Sequence, residues 1–405
     1  MPRKLPCPHL CSTKLYRSKA RRRHVHREHG PVEDVCLLCT EPFLSTQALK
    51  RHTSMAHNNV AQMSDISLRE ASLTDELYGN TDLDEFISTL IQPDEQFLKI
   101  EQAAVDSLVR LLQQDIPAKI RPARVLKRRE YFCPGRLSRQ GYGCERKRKS
   151  DIDLTLVMDK EAFPTVDSLK EGMEDLLSTL KTSLTHQQSK RDVIVEWDKT
   201  TKHSVQVTLT DNDGLRHSID MLPAVDLKLD DAESVRNIFK QMEQSDSETK
   251  AFYSASLAPL QVELVRALPT KVKSLIRLIK FWNKEKVKPV LKDLCPTSYV
   301  YEVIIMDAWA KAKRPSNFDM KRAAHAVMTK LRNYKIMRIC TPGIALYKRK
   351  SDKKGNKTAF IMDPCNPTND IYNNRQFNWK GMSAEAKKWL NKPVFAGVSK
   401  TSKSW

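Results

Sequence analysis

The sequence predicts a mixed α/β lobe followed by a helical lobe, the two preceded by a pair of small ββα zinc modules. Three observations predict it. Cysteines and histidines at zinc-ligand spacing occupy the first 58 residues. Alternating apolar runs between Asp151 and Met221 have the period of strands. From about residue 232 onward, apolar positions recur at the three- and four-residue spacing of helices.

A chain of 405 residues has room for two or three domains. Its 40% hydrophobic and 29% charged residues describe a soluble globular protein. No apolar run approaches the ~18 residues of a membrane span, and the basic, Cys/His-rich N-terminus is not a secretory signal. The formal charge of +20 is clustered, which favours a polyanionic partner. Nine cysteines, four in metal-type pairs and five scattered, fit a reducing cytosolic or nuclear compartment with zinc in place of disulfides.

The second zinc module is the clearer one. Cys36-x2-Cys39-x12-His52-x4-His57 has the ligand types and spacing of a finger, and Phe43 and Leu49 stand where its small core needs apolar residues. The first, Cys7-x3-Cys11-x12-His24-x4-His29, is degenerate: Leu15 replaces the usual aromatic, Arg21 replaces a packing Leu, and His26 competes as a ligand. A basic tail with incidental Cys and His is its alternative. Arg17, Lys19, Arg21, Arg22 and Arg23 suit phosphate contacts better than base readout. Ser45, Ala48 and Arg51 are a thin set for reading DNA sequence, so the fingers suit backbone or shape binding of nucleic acid, or protein docking.

Residues 59–81 are polar and acidic and read as a linker. Helical spacing begins at Leu83, is broken by Pro93, and ends before Pro117. Over 59–115 there are 3 basic and 12 acidic residues; over 116–150 there are 12 basic and 2 acidic ones. That reversal points to a nucleic-acid or polyphosphate surface.

Next comes Ser150-Asp151-Ile152-Asp153-Leu154. On a strand, Asp151 and Asp153 share one face, with Ile152, Leu154 and Leu156 on the other. Two carboxylates so placed suit hard cations such as Mg²⁺. Residues 164–182 look helical, and Val193–Trp197 and Ser204–Leu209 alternate as strands. Asp211-Asn212-Asp213-Gly214 reads as a hairpin turn leading into a return strand from Arg216, stopped by Pro223. Asp220 on that strand supplies the third carboxylate a two-metal site requires. Leu268–Asn283 is an amphipathic helix with Val272, Leu275, Ile276, Ile279 and Trp282 on one face, and 298–311 is a further apolar helix.

Four motifs together resemble the 2′-5′-oligoadenylate synthetases: Ser150-Asp-Ile-Asp-Leu154, Ile219-Asp-Met-Leu-Pro-Ala-Val-Asp226, Leu268-Pro-Thr-Lys-Val-Lys-Ser-Leu-Ile-Arg-Leu-Ile-Lys-Phe-Trp282 and Asp363-Pro-Cys-Asn-Pro-Thr-Asn369. That family shares a nucleotidyltransferase superfamily with cyclic GMP-AMP synthase. The likeness runs in order from Leu83 to Phe395, about three quarters of the chain, and leaves out the fingers. It implies an α/β nucleotidyltransferase lobe at 82–231 and a helical lobe at 232–397; the Cys/His spacing puts the fingers at 1–58, and 398–405 reads as a tail. Asp151, Asp153 and Asp220 would hold two Mg²⁺ ions; Cys7, Cys11, His24, His29, Cys36, Cys39, His52 and His57 would hold structural Zn²⁺.

By the same resemblance Lys280 matches a triphosphate-binding lysine and Tyr299 a tyrosine that stacks on the donor base. Ser298 stands where a glutamine contacts nucleotide. Arg266, Thr270 and, more loosely, Lys127 match RNA-contacting positions. The usual Gly-Ser pair of the phosphate loop is absent; Leu137-Ser138 is nearest, and a register shift would put Arg139 or Gln140 there. Ser138 is therefore the expected phosphate contact. The implied partners are double-stranded RNA, ATP and also GTP, with no membrane. The implied activity is RNA-switched synthesis of 2′-5′-linked oligoadenylate in antiviral innate immunity. A cyclic-dinucleotide synthase uses the same carboxylates, and a catalytically silent RNA-binding protein is the reading from another class. The expected location is cytoplasmic, with the nucleus left open by clusters such as Arg146-Lys147-Arg148-Lys149.

Overall fold

The structure is a computed structural model that describes residues 34–35, 42–43, 76–79, 82–93, 95–130, 151–187, 194–210, 216–229, 231–340, 358–373, 375–398 and 405. It divides into two compact units, Met1–Asp75 and Glu76–Trp405. In the first, β1 (Asp34–Val35) and β2 (Pro42–Phe43) pair antiparallel, Asp34 opposite Phe43. Cys36 and Cys39 fall in the connection between these strands. They and the other six expected zinc ligands lie outside the described residues.

The second unit is built on a five-stranded sheet. Its strands are β3 (Pro122–Glu130), β4 (Asp151–Met158), β5 (Ile194–Thr200), β6 (Val205–Thr210) and β7 (Arg216–Ala224), in the order β3-β4-β7-β6-β5. Only the central β4–β7 pair is parallel; β3–β4, β5–β6 and β6–β7 are antiparallel. Alternation drives this arrangement. Ile152, Leu154 and Leu156 on β4, Val205, Val207 and Leu209 on β6, and Ile219 and Met221 on β7 are all buried. These alternate residues share one face of the sheet and bury it in the core, with His217 on the same face of β7.

Pro223 does not stop β7, contrary to expectation. It pairs with Leu156 of β4, while β6 reaches only to Val205 opposite Met221. Beyond Met221 the β6 side of the strand is an edge, where a residue without an N–H costs nothing.

The helices that flank the sheet follow the apolar spacing. After α1 (Leu83–Phe86), extended by wider turns through Ile91, comes α2 (Glu95–Arg110), and Pro93 separates them as expected. The segment expected as one helix over 164–182 is two, α3 (Val166–Glu171) and α4 (Met173–Gln187). They part at Gly172, where a Cβ would come within 2.9 Å of the Phe163 ring.

Three helices follow the sheet: α5 (Ala232–Gln244), α6 (Ser247–Ser256) and α7 (Ala258–Arg266). Val235, Phe239, Met242, Phe252 and Leu257 belong to the same core cluster as the strand residues. The Ser256 hydroxyl also accepts the Val225 N–H, just past β7, at 3.0 Å. The first helices after residue 232 thus cover the sheet, because their apolar faces complete its core.

The helical lobe is built from α8 (Thr270–Trp282), α9 (Lys288–Leu291), α10 (Ser298–Lys311), α11 (Met320–Arg332) and α12 (Trp379–Leu390). At its centre Trp282 and Trp389 stack with ring centroids 5.7 Å apart. The five α8 residues expected on the apolar face are all buried. Two N-terminal segments join this lobe: Phe86 of α1 meets Phe281 edge-on at 5.6 Å, and Leu77 is fully buried while Tyr78 lies against Trp389. The end of the expected linker is therefore packed, and α1 packs against the helical lobe. A short parallel pair, β8 (Arg338–Cys340) and β9 (Phe360–Met362), interrupts the helices. Among the described residues no helix is long and apolar enough to cross a membrane.

Candidate active site

Parallel pairing of β4 with β7 places Asp153 directly beside Asp220 and Asp151 beside Ser218. Register partners in adjacent strands, about 4.8 Å apart, point to one side of a sheet. Asp153 and Asp220 are half-buried, and each stands between buried residues on its strand: Ile152 and Leu154, Ile219 and Met221. Two carboxylates sharing a face next to a sealed core are hard-oxygen donors of the kind divalent ions such as Mg²⁺ prefer. Of Asp151 the structure describes the backbone, and strand alternation puts it on the same face. Arg128, Asp153, Asp220 and Gln206 form one row across four strands. Among the described residues no group of three or more metal-ligating side chains assembles. Ser138 lies outside the described residues.

Lys280 and Tyr299 come from the helical lobe. The Lys280 ammonium is held 2.5 Å from Glu302, with both side chains almost wholly buried on facing helices α8 and α10. Glu302 was missed in the sequence, yet it carries a signal: a carboxylate inside the apolar run Val300–Ala308 needs a buried cation. Ser298 opens α10 and is half-buried.

Next to it, the Tyr299 hydroxyl donates to Asp363 Oδ1 at 2.6 Å. Asp363 leads the loop after β9 and is buried. Burial pushes its carboxyl above the usual carboxylate range; the Tyr299 hydroxyl, the Cys365 N–H, the Asn369 amide and the Asn366 N–H pull it back.

The expected RNA contacts separate. Arg266 at the end of α7 and Thr270 at the start of α8 are both exposed, one turn of chain apart. Lys127 is not beside solvent in the way an RNA contact needs. Its ammonium sits 3.0 Å from the buried Glu101 and donates to Gln102 at 3.3 Å, leaving 15% of the side chain exposed. A buried carboxylate on α2 demands a cation, and Lys127 on β3 supplies it.

Similarity to known proteins adds to this geometry. Residues 231–405 match the family model described as 2′-5′-oligoadenylate synthetase 1, domain 2, C-terminus. The chain is 26% identical over 337 residues to 2′-5′-oligoadenylate synthase 2 of Rattus norvegicus, covering 77% of this chain and 44% of that protein. It is 32% identical over 151 residues to the inactive 2′-5′-oligoadenylate synthase 1B of Rattus norvegicus, covering 35% of this chain and 39% of that one. A solved structure titled "Structural Basis for the Activity of a Cytoplasmic RNA Terminal U-transferase" superposes with a TM-score of 0.41 at 10% identity, covering 79% of this chain and 93% of that one. The chain spans less than half the length of the first two curated relatives it matches. Its likeness is to the 2′-5′-oligoadenylate synthetase family, through that family's C-terminal domain over residues 231–405 and through its members over most of the chain.

Proposed function

We propose that this protein is a nucleotidyltransferase, activated by double-stranded RNA, that joins ATP into 2′-5′-linked oligoadenylates as an antiviral second messenger. The observation that carries the reading is the pairing of Asp153 with Asp220 on adjacent parallel strands, with Asp151 two residues away on the same face. In the reaction the acceptor 2′-hydroxyl attacks the donor α-phosphorus. The new P–O bond forms as the bond to the β-phosphate oxygen breaks, pyrophosphate leaves, and the hydroxyl proton passes to solvent. When bound, Mg²⁺ neutralises charge on the attacking and leaving oxygens.

The chain's own residues position the reactants. Asp151, Asp153 and Asp220 would hold the metal ions, whose charge would help to align the two nucleotides for in-line transfer. Lys280 has three donors, so one can remain on Glu302 while another meets the triphosphate. Tyr299 carries the donor base, Ser138 the phosphates, and Ser298 lies beside the base platform. Arg266 and Thr270 offer an exposed surface for the RNA backbone.

Purified protein with Mg²⁺, ATP and GTP is expected to make nucleotide product only when long double-stranded RNA is added. Chromatography and 2′- versus 3′-specific nucleases then distinguish linear oligoadenylate from a cyclic dinucleotide. No product with any nucleic acid sinks the enzyme reading and leaves a silent RNA-binding protein. That second reading is favoured by the missing Gly-Ser pair before β4.

The fingers are proposed to hold one structural Zn²⁺ each and to bind nucleic acid by its backbone. The β1–β2 hairpin flanking Cys36 and Cys39 is consistent with the ββα form of the second finger. Cys36→Ser with Cys39→Ser should release one equivalent of zinc, measured by atomic absorption, and weaken RNA binding. Unchanged RNA affinity after zinc loss would make the fingers a docking or stability element.

A further inference from the structure

The motif Asp363–Asn369 has no part in the transfer as described, yet it is closely hydrogen-bonded within itself and to Tyr299 of α10. Asp363 Oδ1 accepts the Tyr299 hydroxyl at 2.6 Å, the Cys365 N–H at 2.9 Å and the Asn366 N–H at 3.2 Å. Its Oδ2 accepts from the Asn369 side-chain amide at 3.3 Å. Asn366 Oδ1 in turn takes the N–H and the hydroxyl of Thr368, at 3.1 and 2.7 Å. Asp363 and Asn366 are both nearly inaccessible, 5% and 3% exposed. Pro364 and Pro367 restrict the same few residues further.

A loop this closed is a rigid mount. From it, Asn366 Nδ2 reaches Ser254 Oγ at 3.4 Å. Ser254 lies on α6, which shares the core of the carboxylate-bearing sheet. The loop is thus bonded on one side to Tyr299 and on the other to the lobe that carries Asp153 and Asp220.

We propose that Asp363 is a positioning residue: it fixes the Tyr299 ring by its hydroxyl, and through the Asn366–Ser254 bond sets the base platform at a constant place relative to the metal-binding carboxylates. This deepens the nucleotidyltransferase reading and rests on it. A tyrosine without its hydroxyl partner rotates about two side-chain bonds, and ordering it on ligand binding then weakens affinity. A short hydrogen bond to a carboxylate removes that cost before the nucleotide arrives.

The test uses the full chain with double-stranded RNA and Mg²⁺, and calorimetry with two probes: α,β-methylene-ATP, which has a base, and inorganic tripolyphosphate, which has none. Tyr299→Phe, which removes the bond, should weaken the ATP analogue by about 3- to 10-fold, the worth of one ordinary hydrogen bond, and Asp363→Asn, which leaves a neutral amide oxygen to accept it, should weaken the analogue by less. The double variant should be no weaker than Tyr299→Phe alone, because without the Tyr299 hydroxyl the change at Asp363 has no bond to that ring left to weaken. Tripolyphosphate should bind all three variants as it binds the wild type.

The proposal is overturned if Tyr299→Phe binds the ATP analogue normally, or if Asp363→Asn weakens both probes equally, which is what a merely supporting role gives. Tyr299→Phe keeps the test decisive even if Asp363→Asn does not fold. Tyr299→Ala separates the two levels. If it binds the ATP analogue like wild type, the tyrosine is no base platform, and the underlying site assignment fails with the proposal.

Discussion

Asp153→Ala and Asp220→Ala should each lower nucleotide transfer by more than about 100-fold, since even residues that only support metal ligands cost about 10- to 100-fold. RNA affinity should stay near the wild-type value, because Arg266 and Thr270 lie on α7 and α8, not on the sheet. A second readout does not depend on turnover. Mg²⁺ at about 100 times its dissociation constant stabilises a protein that binds it in the folded state by about 2.7 kcal/mol. Wild-type protein should therefore melt higher in Mg²⁺ than in EDTA, and both variants should lose most of that difference. Persistence of the Mg²⁺ shift in both variants would place the ions elsewhere. Equal loss of RNA binding and transfer would mean that the substitutions disturb the fold and not a metal site.

The buried Lys280–Glu302 pair predicts the largest stability effect. Both charges are nearly sealed from water, 12% and 5% exposed by side chain. Removing one partner takes away the opposite charge that faces the other in this nearly sealed site, which costs up to about 3–5 kcal/mol. Lys280→Ala and Glu302→Ala should each lower the unfolding free energy from a urea titration by up to that amount, seen as a lower midpoint at unchanged slope.

The double substitution Lys280→Met with Glu302→Leu removes both charges and keeps the volume, and such replacements are often neutral or stabilising. It should restore most of the midpoint while leaving triphosphate binding lost, because the ammonium is gone. This separates the two jobs of Lys280, which the single variants confuse. A wild-type midpoint for Lys280→Ala would show that Glu302 has other compensation and that the pair is not what holds α8 to α10.

Much of the carboxylate-bearing face was legible because it depends on short-range rules. Alternation over Asp151–Met158 puts Asp151 and Asp153 on one side whatever the strand's neighbours are. Strand β7 runs back antiparallel along β6, and its alternation leaves Asp220 opposite the buried Ile219 and Met221. The apolar face of α8 was readable for the same reason, since residues three and four apart share a helix face. The expected fingers are signalled by Cys and His spacing alone, and their ligands lie outside the described residues.

Other assignments needed partners far away in the chain. Lys127 looks like one more residue of a basic segment, until α2 presents Glu101 to it across the core. Pro223 reads as a strand stop, until the short β6 leaves that stretch of β7 as an edge. Helices α5 and α6 read as the start of a helical lobe, because amphipathic spacing shows that a face is buried and not what it is buried against.

By itself the sequence determined which residues have the chemistry and which side of each element they occupy. The local periods of two and 3.6 are set by backbone geometry. Tertiary structure alone decided that β4 and β7 are parallel neighbours, so that Asp153 stands beside Asp220. It also decided that Lys280 faces Glu302 and that Tyr299 is anchored by Asp363. Those pairings join residues 22 to 67 positions apart, from Lys280–Glu302 and Tyr299–Asp363 to Asp153–Asp220. Desolvating a charge or a hydroxyl costs so much that its partner must be found in the packed core, and no local pattern names that partner.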